Sequence, residues 1–206
     1  MSIEIFVEGG GNSKSLRSDC RQAFAKFFGR AGLAGRRPRV RACGPRSEAY
    51  KSFRRAVEEG QGTSRQSVLL LVDSEGPVEG DDPWRHLEAR EQDQWAKPPG
   101  STAEQCHLMV QTMESWFLAD PKALAEHFGA GFDPKALPRS EFVERVPREQ
   151  VAQSLAKATR GAKGKRYDKG RDSFRILMRL DPGKVRAGSP WARRFLEALG
   201  AVSGVE

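Results

Sequence analysis

The feature that most constrains the fold is a short, uninterrupted apolar run at residues 68–72, Val-Leu-Leu-Leu-Val. Five residues are too few for a membrane-spanning or buried helix, whereas a strand of a parallel sheet has this length and is apolar on both faces. The run therefore predicts a central strand at residues 67–72, covered by helices on both sides. An acidic residue, Asp73, follows it directly.

Patterns on either side of this run alternate between strand and helix. Ile3, Ile5 and Val7 recur at every second residue, which predicts a first strand that ends in a glycine-rich turn. Further strands are predicted at 40–43 and 106–111, and helices at 16–27, 50–57, 83–87, 121–128, 147–159, 170–180 and 189–199, the last of them closed by Gly200. This order predicts an α/β fold with a mostly parallel sheet flanked by helices.

The strands all fall in the first two thirds of the chain. We expect residues 1–130 to form the α/β core, and residues 131–206 to form a helical, basic C-terminal extension packed on it. The chain of 206 residues is long enough to bury one continuous core.

The sequence lacks the signals of export or membrane insertion. No apolar run approaches the roughly 18 residues of a membrane helix, and residues 1–8 begin as a strand without a basic segment and an apolar h-region. The three cysteines, Cys20, Cys43 and Cys106, form no CxxC pair. We expect a cytoplasmic protein with reduced thiols and no membrane partner.

Positive charge is concentrated in the C-terminal quarter. Residues 1–150 hold 22 Lys and Arg against 22 Asp and Glu, whereas residues 151–206 hold 13 against 5. A basic segment favours a polyanion such as nucleic acid, because each neutralised phosphate releases counterions. A solvated loop that only aids solubility has the same composition. The candidate nucleic-acid contacts are Lys14, at the first helix start, and Lys165, Arg166, Lys169 and Arg171.

Four acidic residues follow predicted strands. Parallel strands place their carboxyl ends at one edge of the sheet, where the functional groups of open α/β folds collect. Converging carboxylates repel one another without a cation, and Mg²⁺ and Mn²⁺ prefer carboxylate oxygens. We therefore predict a Mg²⁺ or Mn²⁺ site from the four acids together, although each acid alone is also consistent with a helix cap or a solvated rim, which is the favoured interpretation for Glu8 alone. The candidate ligands are Glu8, Asp73, Glu75 and Glu114.

Several segments resemble a known family. Val7-Glu8-Gly9 after the first strand, and the acid pair at residues 73 and 75, resemble the Toprim domains of topoisomerases, primases and old-type nucleases. Residues 110–120, VQTMESWFLAD, and 165–170, KRYDKG, are similar to the bacterial Toprim-like family DUF4276. This second resemblance spans most of the chain.

The resemblance implies a Toprim-like (Rossmann-like) fold and Mg²⁺-dependent phosphoryl transfer on nucleic acid. It implies that Glu8 acts as general acid or base, that Asp73 and Glu75 form the metal-binding pair, and that Glu114 completes the site. Glu75 departs from the Asp of the Toprim pattern, which moves the ligand oxygen by one methylene. The family's association with defence loci also implies an ATPase partner protein.

These features favour a metal-dependent nuclease with a role in antiviral defence. The alternative is a catalytically weak Toprim-like module that binds an ATPase partner or nucleic acid. A third hypothesis is an enzyme that acts on a small phosphate-containing molecule with the same carboxylates. The three hypotheses differ in whether metal binding, cleavage of polymers and cleavage of mononucleotides occur together.

Overall fold

The computed structural model describes residues 2–33, 38–60, 66–162 and 166–203. The strands in these ranges are β1 (Ser2–Val7), β2 (Arg39–Ala42), β3 (Gln66–Asp73) and β4 (Cys106–Met109). They form a four-stranded, all-parallel sheet in the order β2-β1-β3-β4. Helices flank the sheet, so the predicted α/β fold is confirmed, and the architecture is Rossmann-like.

The apolar run forms β3, which lies inside the sheet. It pairs with β1, where Val7 lies beside Leu71, and with β4, where Asp73 lies beside Met109. Residues 68–73 are all buried, as the prediction of a strand covered on both faces requires. These registers bring the carboxyl ends of β1, β3 and β4 to one edge of the sheet.

The helices begin where the local sequence provides a cap. Ser13 caps α1, and Asp82 and Asp120 cap α3 and α4 with a proline in the next position, where a helix has no partner for an N–H. No helix within the described ranges is long and apolar enough to cross a membrane. The helices are α1 (Lys14–Phe28), α2 (Arg46–Glu58), α3 (Pro83–Ala89), α4 (Pro121–Phe128), α5 (Arg148–Ala158), α6 (Lys169–Leu177), α7 (Pro182–Gly188) and α8 (Pro190–Ser203).

The sheet divides the apolar core into two layers. Successive strand residues point to opposite faces, so alternate positions of one strand enter different layers. On one face Phe6 and Leu70 pack with α2 and α3. On the other face Ile5 and Leu71 pack with α1 and the C-terminal helices.

Helices α5 to α8 complete the second layer. Leu155, Ile176 and Phe195 are fully buried in the same apolar cluster as Phe24 of α1. The C-terminal part of the chain is therefore joined to the sheet by a continuous apolar interface. The division into a core and an extension at residue 130 stays a prediction.

Helix α2 begins at Arg46 and not at residue 50, and two helix ends in the C-terminal part also differ from the sequence-based expectation. The final helix does not end at Gly200 but continues to Ser203, since one glycine inside a helix costs only about 1 kcal/mol and the preceding Leu199 is anchored in the core. The helix predicted at 170–180 ends at Leu177, and α7 follows with Asp181 as its cap.

Candidate functional site

Glu8 and Asp73 lie side by side at the carboxyl edge of the sheet. Glu8 follows the last residue of β1, and Asp73 is the last residue of β3. The amide of Glu8 donates a 3.0 Å hydrogen bond to the carbonyl of Leu71, and the amide of Asp73 donates one of 3.0 Å to the Glu8 carboxylate. Strand pairing thus joins two acids that are 65 residues apart in the sequence.

Glu75 joins these two carboxylates from the loop after β3. Its backbone is left-handed, with φ of 62°, a conformation that is uncommon for a residue such as glutamate. The Glu75 amide donates a 3.0 Å hydrogen bond to the carbonyl of Gln111, and this bond joins the loops that follow β3 and β4. One carboxylate oxygen from each of Glu8, Asp73 and Glu75 lies within 4.8 Å of the others.

Glu114 is buried beside Asp73. It lies in a 3-10 helix, Met113–Ala119, that follows β4. The hydroxyl of Thr112 lies 3.2 Å from the Asp73 carboxylate and also contacts Glu114, and the amide of Met113 donates a 2.8 Å hydrogen bond to Asp73. The structure therefore brings all four predicted acids together, three of them directly and Glu114 through Thr112.

Lys169 reaches the acids from the first position of α6. Its ammonium lies 3.2 Å from one oxygen of Glu114. The other oxygen of Glu114 accepts a 2.9 Å hydrogen bond from the Ser173 hydroxyl, and the Tyr167 hydroxyl lies at 3.4 Å. The sequence predicts Lys169 as a nucleic-acid contact, and the structure adds that its ammonium adjoins the acidic cluster.

Burial and the neighbouring charges shift the pKa values of Glu8, Asp73 and Glu114 in different directions. Burial, and after it the charges of Glu8 and Glu114, raises the pKa of Asp73 well above its usual value. Burial also raises the pKa of Glu8. Burial acts on Glu114 in the same direction, but the Lys169 ammonium and two side-chain hydrogen bonds outweigh it and hold the pKa of Glu114 below its usual range. An added cation would therefore relieve the largest repulsion at Asp73.

Two arginines that sequence analysis does not select also contact the acids. Arg46 donates a 2.7 Å hydrogen bond to the carbonyl of Asp73, and its Nε lies 3.6 Å from the Glu8 carboxylate. Arg148 forms an ion pair with Glu75. Each arginine is the first residue of a helix and follows a proline. This signal predicts where the helix begins, but it does not identify the acid that the side chain meets.

Two cavities share Glu114 and Lys169 as lining residues. One, of about 310 Å³, is also lined by Glu8, Asp73 and the glycine-rich loop after β1. The other, of about 470 Å³, is also lined by Arg148 and the N-terminal half of α5. The acids are therefore accessible from a concave surface that combines both signs of charge.

The predicted nucleic-acid contacts are spread over several places. Lys14 is the exposed first residue of α1. Arg166 is exposed and lines a separate cavity of about 490 Å³ with two other basic side chains. Arg171 pairs with the neighbouring aspartate at 2.8 Å, and Lys169 adjoins the acids. Lys165 lies outside the described residues.

A parallel sheet with four acids and a lysine at its carboxyl edge defines an α/β protein whose candidate site lies where open α/β folds carry function. Residues 7–200 match the family model described as Domain of unknown function (DUF4276). The chain belongs to this family, so that resemblance is confirmed, and the Toprim relationship stays a prediction. No curated protein and no solved structure matches the chain.

Proposed function

We propose that the protein is a Mg²⁺- or Mn²⁺-dependent nuclease that hydrolyses phosphodiester bonds in nucleic acid. The observation that carries the proposal is the approach of Glu8, Asp73 and Glu75 to within 4.8 Å of one another at the carboxyl edge of the sheet. The donors are carboxylate oxygens, which suit a hard divalent cation. Asp73 is buried beside two other acids, and a cation would offset that repulsion.

The residues of the site would have different roles in hydrolysis. Asp73, Glu75 and Glu8 would hold the metal ion, with Glu114 beside them. A bound divalent cation supplies Lewis-acid polarisation of the phosphodiester. Glu8 is partly exposed, and it would accept the proton of the attacking water and return it to the leaving oxygen. One P–O bond forms as another breaks, so one water is consumed. The exposed ammonium of Lys169 would orient a phosphate oxygen.

Calorimetric titration of Mn²⁺ and Mg²⁺ tests the metal site directly. Asp73→Asn removes the charge of a proposed ligand while preserving its shape, and we expect it to abolish metal binding. Glu79→Gln is the matched control, because this exposed residue also loses one negative charge but does not line the cavity at the acids. Equal metal binding by wild type and Asp73→Asn would contradict the assignment.

Cleavage of labelled single-stranded DNA, duplex DNA and RNA in the same metal buffer tests the reaction. We expect Glu8→Gln to lower the cleavage rate at least about 100-fold, which is the usual scale for a lost acid–base group, and Asp73→Asn to lower it at least as much through the lost metal ion. Wild-type cleavage by either variant would refute its role. Hydrolysis of mononucleotides without cleavage of polymers would identify a small-molecule enzyme instead.

A catalytically weak module that binds nucleic acid or an ATPase partner is the second candidate function. It is favoured by two cations of the chain that already contact the acids, Lys169 at Glu114 and Arg148 at Glu75. Glu75 also stands where the Toprim resemblance implies aspartate. Under this alternative the wild type binds no divalent metal and cleaves nothing, yet it binds nucleic acid in a salt-dependent manner or binds the ATPase.

A cytoplasmic location and a role in antiviral defence belong to the same proposal. Cys20, Cys43 and Cys106 are free thiols, which suits a reducing compartment. The defence role rests on the family resemblance. Comparing phage plaque numbers on bacteria that express wild type or Asp73→Asn tests it, and equal numbers would contradict it.

A further inference from the structure

A further, basic cavity of about 680 Å³ lies between the C-terminal end of α1 and helix α6, and we call it the α1–α6 groove. Five of its lining residues are lysines and arginines: Lys26 and Arg30 from the α1 side, and Arg171, Arg175 and Arg179 from the α6 side. Of these, Arg171 alone is among the nucleic-acid contacts predicted from the sequence. The groove does not include the four predicted acids.

Helical spacing explains why these cations form two facing rows. Residues four apart lie on the same side of a helix, and both rows have this spacing. Arg171 and Arg175 lie on α6 and Arg179 follows in the turn after it, while Lys26 lies in α1 and Arg30 just beyond its end. The guanidinium of Arg30 donates hydrogen bonds of 3.3 and 2.8 Å to the carbonyls of residues 178 and 179, which tie the two rows together.

The positive charge of the groove is largely unpaired within the described part of the chain. The acid that lines it is Asp172, which pairs with Arg171 at 2.8 Å and contacts His127 at 3.2 Å. In the described ranges the remaining cations have no carboxylate within ion-pair distance: Lys26, Arg30, Arg175 and Arg179. Like charges that face one another across a groove cost stability, and a bound polyanion would offset this cost.

Helix α6 contributes residues to both this groove and the acidic cavity. Lys169 and Ser173 line the acidic cavity, whereas Arg171 and Arg175 line the groove. Residues two apart on a helix point to different sides, so the two cavities lie on different sides of α6.

We propose that the α1–α6 groove binds the sugar-phosphate backbone of a nucleic-acid substrate outside the acidic cavity. This inference rests on the proposed function, because the strand held there is the substrate of that site. Arginine side chains bind phosphate oxygens bidentately and without reading sequence. An anionic membrane surface would need apolar side chains that insert beside the charges, whereas the apolar residue among those lining the groove in the described ranges is Met178.

Fluorescence anisotropy of a labelled 20-nucleotide strand, single or in duplex, tests the groove in EDTA, without metal and without turnover. We expect Arg175→Glu combined with Arg179→Glu to weaken binding at least about tenfold at 0.1 M salt, and to reduce the slope of log K against log salt by about 2. Lys135→Glu combined with Arg139→Glu is the matched control, since these exposed residues change the net charge equally but do not line the groove. The control should bind like wild type.

A milder double variant, Arg175→Gln with Arg179→Gln, controls for misfolding. It should also weaken strand binding, and its melting temperature should equal that of the wild type. Wild-type affinity and salt slope in both groove variants would overturn the inference, as would a wild type that binds anionic vesicles but neither strand. Mn²⁺ titration separates this result from the proposed function. Groove variants that lose strand binding but bind Mn²⁺ normally would support the groove. If the wild type binds no Mn²⁺ but its strand binding still depends on the groove arginines, only the proposed nuclease activity is refuted.

Discussion

The backbone amide of Asp73 donates a 3.0 Å hydrogen bond to the carboxylate of Glu8, across two adjacent strands of the sheet. This bond holds two acids together whose charges repel, because the pairing of β1 with β3 leaves them no alternative position. The pairing of the strands therefore keeps Glu8 and Asp73 together although their negative charges repel each other. We expect an arrangement of this kind to lower the free energy of unfolding while it serves the function of the site.

Replacement of Asp73 by asparagine is expected to stabilise the metal-free protein. The amide keeps an oxygen for the 2.8 Å hydrogen bond from Met113 and removes the repulsion by Glu8 and Glu114. We expect a gain of about 1 kcal/mol, which corresponds to a rise in Tm of roughly 2–4 °C for a chain of this size. Differential scanning calorimetry in EDTA checks this, and a lower Tm would mean that the charge of Asp73 stabilises the fold.

Replacement of Lys169 by methionine is expected to have opposite effects without and with metal. The ammonium compensates the charge of Glu114, but it is largely exposed and screened by solvent, so we expect a loss of about 1 kcal/mol in EDTA. With Mn²⁺ present, the variant should gain more thermal stability than the wild type, because a competing cation has been removed. Lys14→Met, at the exposed start of α1, serves as control. An equal Mn²⁺ shift in wild type and Lys169→Met would show that the lysine does not compete with the ion.

Asp120 is expected to stabilise the junction between α4 and α7. Its carboxylate accepts hydrogen bonds from the Asp181 amide at 3.0 Å and from the Lys184 ammonium at 2.6 Å. We expect Asp120→Asn to lower the free energy of unfolding by about 1–2 kcal/mol at neutral pH, since asparagine caps a helix nearly as well but carries no charge for Lys184. Urea denaturation measures this, and Asp133→Asn, which caps an exposed turn, should change it by less than about 0.5 kcal/mol.

The contribution of Asp120 should also depend on pH with a definite sign. Burial opposes its ionisation, but the hydrogen bond from Lys184 and those from backbone amides outweigh burial and hold the pKa of Asp120 below its usual 3.8. The stabilisation is therefore complete above pH 3.8 and is lost as the pH falls through the lowered pKa. The difference in unfolding free energy between wild type and Asp120→Asn should shrink in that window, and a constant difference would contradict the ion pair.

The C-terminal helices are expected to unfold together with the sheet. Phe195 lies on α8 and is fully buried in the apolar cluster below the sheet's second face. Phe195→Ala should therefore lower the free energy of unfolding by about 3–5 kcal/mol. Leu196→Ala, at a partly buried neighbouring position, should cost less. Circular dichroism and tryptophan fluorescence should report one shared transition at a lower urea concentration. Two separate transitions would mean that the extension folds independently.

Sequence pattern alone was sufficient for the four strands, for the α-helices other than α7 and for the positions of the acids, but not for the 3-10 helix after β4. The apolar run before Asp73 predicts a buried strand, and an acid directly after a strand is predicted to lie at the sheet edge. Proline after Asp82 and after Asp120 predicts the starts of α3 and α4, as the structure has them. These features depend on spacings of two to four residues, which are local and visible in one dimension.

The tertiary structure alone decided which of these segments meet. The order β2-β1-β3-β4 places Glu8 against Asp73, and the docking of α6 brings Lys169 to Glu114 and, on another side, Arg175 to the row from α1. Arg148 meets Glu75 for the same reason. Contacts between distant segments depend on how apolar faces pack in three dimensions. A single sequence specifies those faces without stating which of them become neighbours.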